Sequence, residues 1–236
     1  MPEARKTFDE QLQELRNDVI RAAAVVGEAI TAATQALLGD LGVVDQVIAD
    51  DAIVDDLNHS MEMRAFEIMA LQQPTAVDLR TLLSILRIVH ELELSGDLMV
   101  TTAKAARRLY PKELPPRVRG LIDRMGAQAT VQLRVAVDAF ADADTTKAVA
   151  LPDMDDVMDD LQKEMFRAIF SQGAPDEDAL QLAVQLALIG RYYERLADHA
   201  VQIGAWVHFM VTGELPGPES PSALEMATSD EPRPTA

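Results

Sequence analysis

Eight acidic residues recur as four pairs at a spacing of four: Asp51 and Asp55, Glu93 and Asp97, Asp155 and Asp159, Glu194 and Asp198. Residues i and i+4 of a helix stand one turn apart on the same face, so each pair turns two carboxylates in one direction. Carboxylates placed that way share a proton, accept from arginine, or hold a cation. Spacing alone is weak evidence, because with 39 acidic residues among 236 random placement already gives roughly six such pairs. Their place in the hydrophobic pattern is more informative. The stripe Leu82, Leu86, Val89 and Val100 runs through Glu93 and Asp97, and the stripe Leu180, Val184, Ala187 and Val201 runs through Glu194 and Asp198. Asp51 and Asp55 fall among Val44, Val47, Val54 and Met61, while Asp155 and Asp159 fall among Leu151, Met158, Met165 and Ile169. A solvated charge run belongs on a polar face. Acids that interrupt an apolar stripe must be neutralised by protons, by arginine or by a cation.

Both of the last two solutions are open to this chain. Arg80, Arg87, Arg191 and Arg195 lie on the same helical segments and could serve as structural partners. Alternatively, carboxylates from two neighbouring helices hold one or more ions, and oxygen-only ligands suit magnesium, manganese, iron or zinc. A di-iron oxidase would offer Glu-x-x-His on two helices; only Asp56 and His59 have an acid-x-x-His spacing, and Lys163 stands at the matching place in the second half. His199 follows Asp198 and reads first as a structural histidine, then as a ligand. Met61, Met63, Met69, Met99, Met154, Met158 and Met165 read as core filler. Glycine-rich phosphate loops, nucleophile elbows and Ser/His/Asp groupings are missing from the sequence, which gives catalysis little support.

The elements that must position these acids are helices. Aromatic residues make up only 4% and glycines number 11, against 48% apolar residues, a composition unlike the alternating, turn-rich pattern of β proteins. Phe8, Leu12, Leu15, Val19, Ala22, Val26, Ile30, Ala33 and Leu37 fall at spacings of three and four, which predicts a long first helix. A second follows from Val44 to Met69 and stops at Gln72-Gln73-Pro74, since the residue before proline is pushed out of helical geometry. Asp78 favours the positive end of a third helix, from about Ala76 to Leu109, which Pro111, Pro115 and Pro116 close. Three more are expected over Leu121–Phe140, Leu151–Ile169 and Asp176–Val211, with a break at Gly173-Ala174-Pro175.

The second three repeat the first three. Asp51-Ala52-Ile53-Val54-Asp55-Asp56-Leu57 matches Asp155-Asp156-Val157-Met158-Asp159-Asp160-Leu161 at four of seven positions, 104 residues apart. Glu93-Leu94-Ser95-Gly96-Asp97 matches Glu194-Arg195-Leu196-Ala197-Asp198 at an offset of 101, and the difference falls in the turn between helices. The fold class expected is all-α, two tandem three-helix bundles related by duplication: residues 1–110, residues 111–213, and a disordered Pro/Ser/Glu/Thr-rich tail over 214–236.

A formal net charge of −18 opposes nucleic-acid binding, and zero cysteines exclude thiol catalysis and disulfides. The densest apolar run, Leu180–Ile189, is broken by Gln181 and Gln185, so no membrane insertion is expected. Met1-Pro2-Glu3-Ala4-Arg5-Lys6 leads directly into an amphipathic pattern rather than a signal peptide, and a cytoplasmic location is expected.

At these acidic motifs the sequence resembles the PhoU family of phosphate-signalling proteins, over about Phe8 to Gly213. The segment Tyr193-Glu194-Arg195-Leu196-Ala197-Asp198-His199-Ala200-Val201-Gln202-Ile203 is similar to the family's E(D)-x-x-x-D motif. Gln73-Pro74 and Asp78-Leu79-Arg80 resemble the segment that precedes its third helix. The first-half motif departs from the pattern at Leu94, where arginine is usual, and at Ser95, where an apolar residue is usual. The resemblance implies a cytoplasmic, dimeric, non-enzymatic regulator that binds multinuclear iron or zinc clusters through Asp51, Asp55, Glu93, Asp97, Asp155, Asp159, Glu194 and Asp198. It further implies a link between the ATPase subunit of a phosphate ABC transporter and a sensor histidine kinase, restraining uptake and the phosphate-starvation response. Two other readings stand beside it: a metal-dependent enzyme on a helical bundle, and a metal-free helical scaffold whose acids are neutralised by arginine.

Overall fold

The computed structural model describes residues 2–171, 173 and 176–214, with side chains from Phe8 onward. Helix α1 (Pro2–Leu37) is followed by a short 3-10 turn (Leu41–Val43), then α2 (Val44–Gln72), α3 (Ala76–Leu109), α4 (Pro116–Asp142), α5 (Thr145–Val149), α6 (Leu151–Phe170) and α7 (Glu177–Thr212). No strand forms among the described residues. The expected tail from residue 215 on, and Ala174-Pro175 of the expected break, lie outside the described residues.

Local chemistry sets the boundaries. The α2 helix stops where Gln73 takes a left-handed conformation (φ 46°, ψ 63°) before Pro74. In the first turn of α3, Asp78 accepts a 2.8 Å hydrogen bond from the Thr75 hydroxyl and adds negative charge at the helix's positive end. Pro116 opens α4, where a missing N–H costs nothing. Asp176 caps α7 by accepting from the Ala179 N–H at 2.7 Å, and Gly213 (φ 82°) ends it. One element departs from the six expected helices: Asp144 accepts from the N–H groups of Thr146 and Lys147 and starts the five-residue α5. A single short turn carries too few apolar positions to show a period.

Each half places three long helices together, α1–α3 and then α4, α6 and α7, with the apolar stripes inward. Leu15, Val19, Ala22, Val26, Ile30, Ala33 and Leu37 are all buried on α1, as the pattern predicts. The halves meet along α3 against α7 and α1 against α4, and one continuous core runs through both. The α3–α7 seam is antiparallel: Ser84 Oγ donates to the Trp206 carbonyl at 3.1 Å, and Glu91 Oε2 lies 2.6 Å from His199 Nδ1. Between α1 and α7, the Thr34 and Tyr193 hydroxyls share a 2.6 Å hydrogen bond, and Gly126 on α4 leaves the space that the Thr34 side chain fills.

Candidate functional site

The acids of the first half come from α2 (Asp51, Asp55) and α3 (Glu93, Asp97), which lie side by side. Gly96 allows this approach, because a Cβ there would stand 3.0 Å from Asp51 Oδ1. Asp51 and Glu93 are half-buried, while Asp55 and Asp97 are exposed at the rim of the stripe. Burial pushes the Asp51 carboxyl up to about 6, reinforced by the charges of Asp55, Asp97 and Glu93 and opposed by Lys104. Asp51 therefore feels the other three acids of the first half. Asn58, a buried residue on α2, donates its Nδ2 to Glu93 Oε2 at 2.6 Å, and His90 lies 3.4 Å from the same oxygen.

In the second half the acids come from α6 (Asp155, Asp159) and α7 (Glu194, Asp198). Glu194 is only 8% exposed. Burial raises its carboxyl to about 7, with Asp198, Asp159 and Asp155 adding to the rise and Arg191 opposing it. Asp155 rises to about 6, chiefly from burial, then from Asp198; Gln132 on α4 opposes the rise by donating its Nε2 to Asp155 Oδ1 at 3.5 Å. The Glu194 carboxyl thus keeps its proton up to about pH 7 and the Asp155 carboxyl up to about pH 6.

Of the four arginines named above as possible partners, Arg191 pairs with Glu194, whereas the Arg87 guanidinium lies over the Trp206 ring, 5.5 Å from its centre. Arg80 packs against Gly213, and Arg195 is exposed. The α7 stripe needs a correction at its start: Leu180 and Val184 are exposed, so the buried face of this helix begins at Leu186. His199 is buried against Glu91 across the seam, the structural role its position suggested. Asp56 and His59 are both exposed, and Lys163 pairs with Asp160. Met61, Met99, Met158 and Met165 are core filler, but Met63 is exposed.

A cation would meet an all-oxygen donor set in either half. One oxygen of Glu194, its Oε2, is buried without a hydrogen-bond partner, as are Oδ1 of Asn58 and Oε1 of Gln132. Buried lone pairs of that kind want a proton donor or an ion, so the residues fit a hard or borderline metal. As placed, no three Asp, Glu or His side chains among the described residues converge on one point in either half. Asn58 and Gln132 carry no charge and were missed by a search for acids. For Asn58 the signal was there, a polar residue between Val54 and Met61 at helical spacing.

The PhoU domain matches this chain twice, over residues 19–106 and 122–207, one match in each half. The chain belongs to the PhoU family. Its relatives include the phosphate-specific transport system accessory protein PhoU homolog 1 of Mycobacterium tuberculosis, 36% identical over 214 residues, which span 90% of this chain and 96% of that protein. The PhoU homolog of Rhizobium meliloti is 28% identical over 215 residues, 91% of each chain. Among solved structures, PhoU from Pseudomonas aeruginosa superposes with a TM-score of 0.82 at 27% identity, covering 88% of this chain and all of its own. The phosphate transport system regulatory protein PhoU from Streptococcus pneumoniae gives 0.81 at 26% identity, covering 89% and 99%. The duplicated acidic helices are thus part of a PhoU fold, and no helix among the described residues is long and apolar enough to cross a membrane.

Proposed function

We propose that this chain is an accessory regulator of phosphate transport, a non-enzymatic adaptor that lowers phosphate uptake and holds the phosphate-starvation response off. It works in the cytoplasm as a homodimer, between the ATPase subunit of a phosphate ABC transporter and a sensor histidine kinase. Iron or zinc, with manganese or magnesium as the other candidates, binds at Asp51, Asp55, Glu93 and Asp97 in one half and at Asp155, Asp159, Glu194 and Asp198 in the other. The observation that carries this reading is the crowding of charge in both halves: burial, with the other acids adding to it, raises Asp51 and Asp155 to about 6 and Glu194 to about 7. Such a site is unfavourable when empty and ionised, and a divalent cation relieves it. Family membership supports the transport role, since relatives over nearly the whole length are named for phosphate transport.

Bound ions would cancel part of the local negative charge and stiffen the α2–α3 and α6–α7 pairs. Exposed apolar side chains repeat with the duplication and suit protein docking: Phe66 matches Phe170, Leu79 matches Leu180 and Leu83 matches Val184. A pull-down of the transporter ATPase and the kinase tests the adaptor. Changing Glu93, Asp97, Glu194 and Asp198 together to Ala is expected to weaken capture while helicity is kept. Undiminished capture by that folded variant would show that docking does not depend on metal.

A further inference from the structure

Several apolar side chains that the packing leaves exposed fall at matching places in the two halves. Leu79 and Leu83 on α3 correspond to Leu180 and Val184 on α7 at the offset of 101, and Phe66 on α2 corresponds to Phe170 on α6 at the offset of 104. Inheritance alone does not keep them alike, because neighbouring exposed positions differ: Arg87 answers to Leu188, and Met63 to Arg167. The fold asks for no apolar residue at an exposed position, so the repetition points to something outside the chain. The α3–α7 seam fixes how the two sets lie. Ser84 stands beside Trp206 and Glu91 beside His199, and exchanging the halves returns the same antiparallel register. An approximate two-fold axis therefore crosses the seam at right angles to the helices, and both sets face the same side of the molecule from opposite ends. Leu83 and Val184 are separated along the seam by about 34 Å, at 1.5 Å per helical residue. Phe66 falls at the Leu83 end, past Asn58, which bonds Glu93; Phe170 falls at the Val184 end, past Met165, which packs on Gly190. Acids lie between the ends, nearest the axis: Leu83, His90 and Asp97 on α3, like Val184, Arg191 and Asp198 on α7, run from apolar to acidic at a spacing of seven.

We infer that this face docks across the two-fold axis of a symmetric homodimer whose surface is basic near its own axis and apolar further out, each half of the chain gripping one partner subunit. The inference rests on the adaptor reading and adds the kind of partner and the side it meets. A duplicated chain with two equivalent patches is a single-chain counterpart of a two-fold dimer, and aligned axes let both patches meet the same surface of the partner at once. The acids beside the axis set the partner's charge: Asp97 and Asp198, with Glu62 on α2 and Asp156 and Asp160 on α6, ask for lysine and arginine. A second copy of this chain would set acid against acid, and an anionic membrane or a nucleic acid would meet the same repulsion. Two weak apolar grips act as one strong one, because the second contact forms within an already tethered pair.

The test uses the full chain and a detergent-solubilised phosphate ABC transporter, with its pair of ATPase subunits in place. Leu79→Ser/Leu83→Ser and Leu180→Ser/Val184→Ser change exposed positions and leave the core alone. Each is expected to weaken binding roughly hundred-fold or more, and by similar amounts, since either one leaves a single grip. Binding of the wild type is expected to weaken as NaCl is raised. The chain has no cysteine, so Met63→Cys and Arg167→Cys each carry a photo-crosslinker at one exposed place, one at either end. Both are expected to cross-link to the same segment of the ATPase subunit. Loss of binding in only one of the serine variants, loss in neither, affinity indifferent to salt, or cross-links to two different segments overturns the inference and leaves the adaptor reading standing. A wild type that does not bind the transporter overturns the adaptor reading itself, and the inference with it.

Discussion

Replacing Glu194 with Gln keeps the shape of the side chain and removes one buried negative charge, so its effect on stability should depend on pH and on metal. In the unfolded chain a glutamate loses its proton near 4.5, whereas in the fold Glu194 keeps it up to about 7. Between those values the folded state binds more protons than the unfolded one, so its stability falls as pH rises. The penalty begins above about pH 4.5 and is complete somewhat above pH 7. Each pKa unit corresponds to about 1.4 kcal/mol, giving a ceiling of about 3 kcal/mol. Partial solvent screening and the lost Arg191 partner reduce the expected gain for Glu194→Gln to about 1–2 kcal/mol. In a chain of this size that raises the midpoint of thermal unfolding by roughly 3–6 °C for metal-free protein at pH 8. The gain should fade by pH 5, where the wild-type carboxyl is already protonated. With saturating Zn2+ or Mn2+ the order should reverse, since a ligand at about 100 times its Kd adds roughly 2.7 kcal/mol to the protein that binds it. Differential scanning calorimetry at pH 5 and pH 8, with and without metal, reads all four conditions. A variant equally destabilised at both pH values without metal would refute the reasoning and make Arg191–Glu194 an ordinary structural ion pair.

Asp51 and Asp155 should titrate near 6 in metal-free protein, and both should stay ionised well below that once metal is bound; 13C NMR of the side-chain carboxyls checks this. Gly96→Ala places a Cβ about 3.0 Å from Asp51 Oδ1, so it should weaken metal binding in the first half while helicity is unchanged. Gly126→Ala drives a Cβ into the Thr34 side chain and should cost about 1–3 kcal/mol in denaturant unfolding, with the Thr34–Tyr193 hydrogen bond lost. His199→Leu removes the buried partner of Glu91 and should destabilise the α3–α7 seam by about 1–3 kcal/mol, read by the same method.

Much of this architecture is legible in the sequence because long helices write their buried face many times over. Nine apolar positions define α1, and the proline and glycine punctuation places its neighbours' ends within a few residues. The duplication is legible for the same reason, since it repeats acids and apolar residues together. What periodicity omits is which neighbour covers a stripe. Leu180 and Val184 keep the spacing of a core face, yet they stay half exposed beside the end of α3. The five-residue α5 is set by a single capping aspartate, too local to show a pattern. Contacts between distant helices are the hardest: nothing in the sequence joins Glu91 to His199, 108 positions away, or Gln132 to Asp155. The acids themselves were legible as pairs, but their unequal burial was not, because Glu194 is covered by the fold whereas Asp55 and Asp97 remain at its rim.

Elemental analysis of protein purified without chelators tests the central claim most directly, run beside Glu93→Ala/Asp97→Ala and Glu194→Ala/Asp198→Ala. The account predicts near-stoichiometric iron or zinc in the wild type and a loss in each double variant confined to its own half. Metal content that is unchanged in both variants, or a wild type that takes up neither metal even when each is supplied, would contradict it.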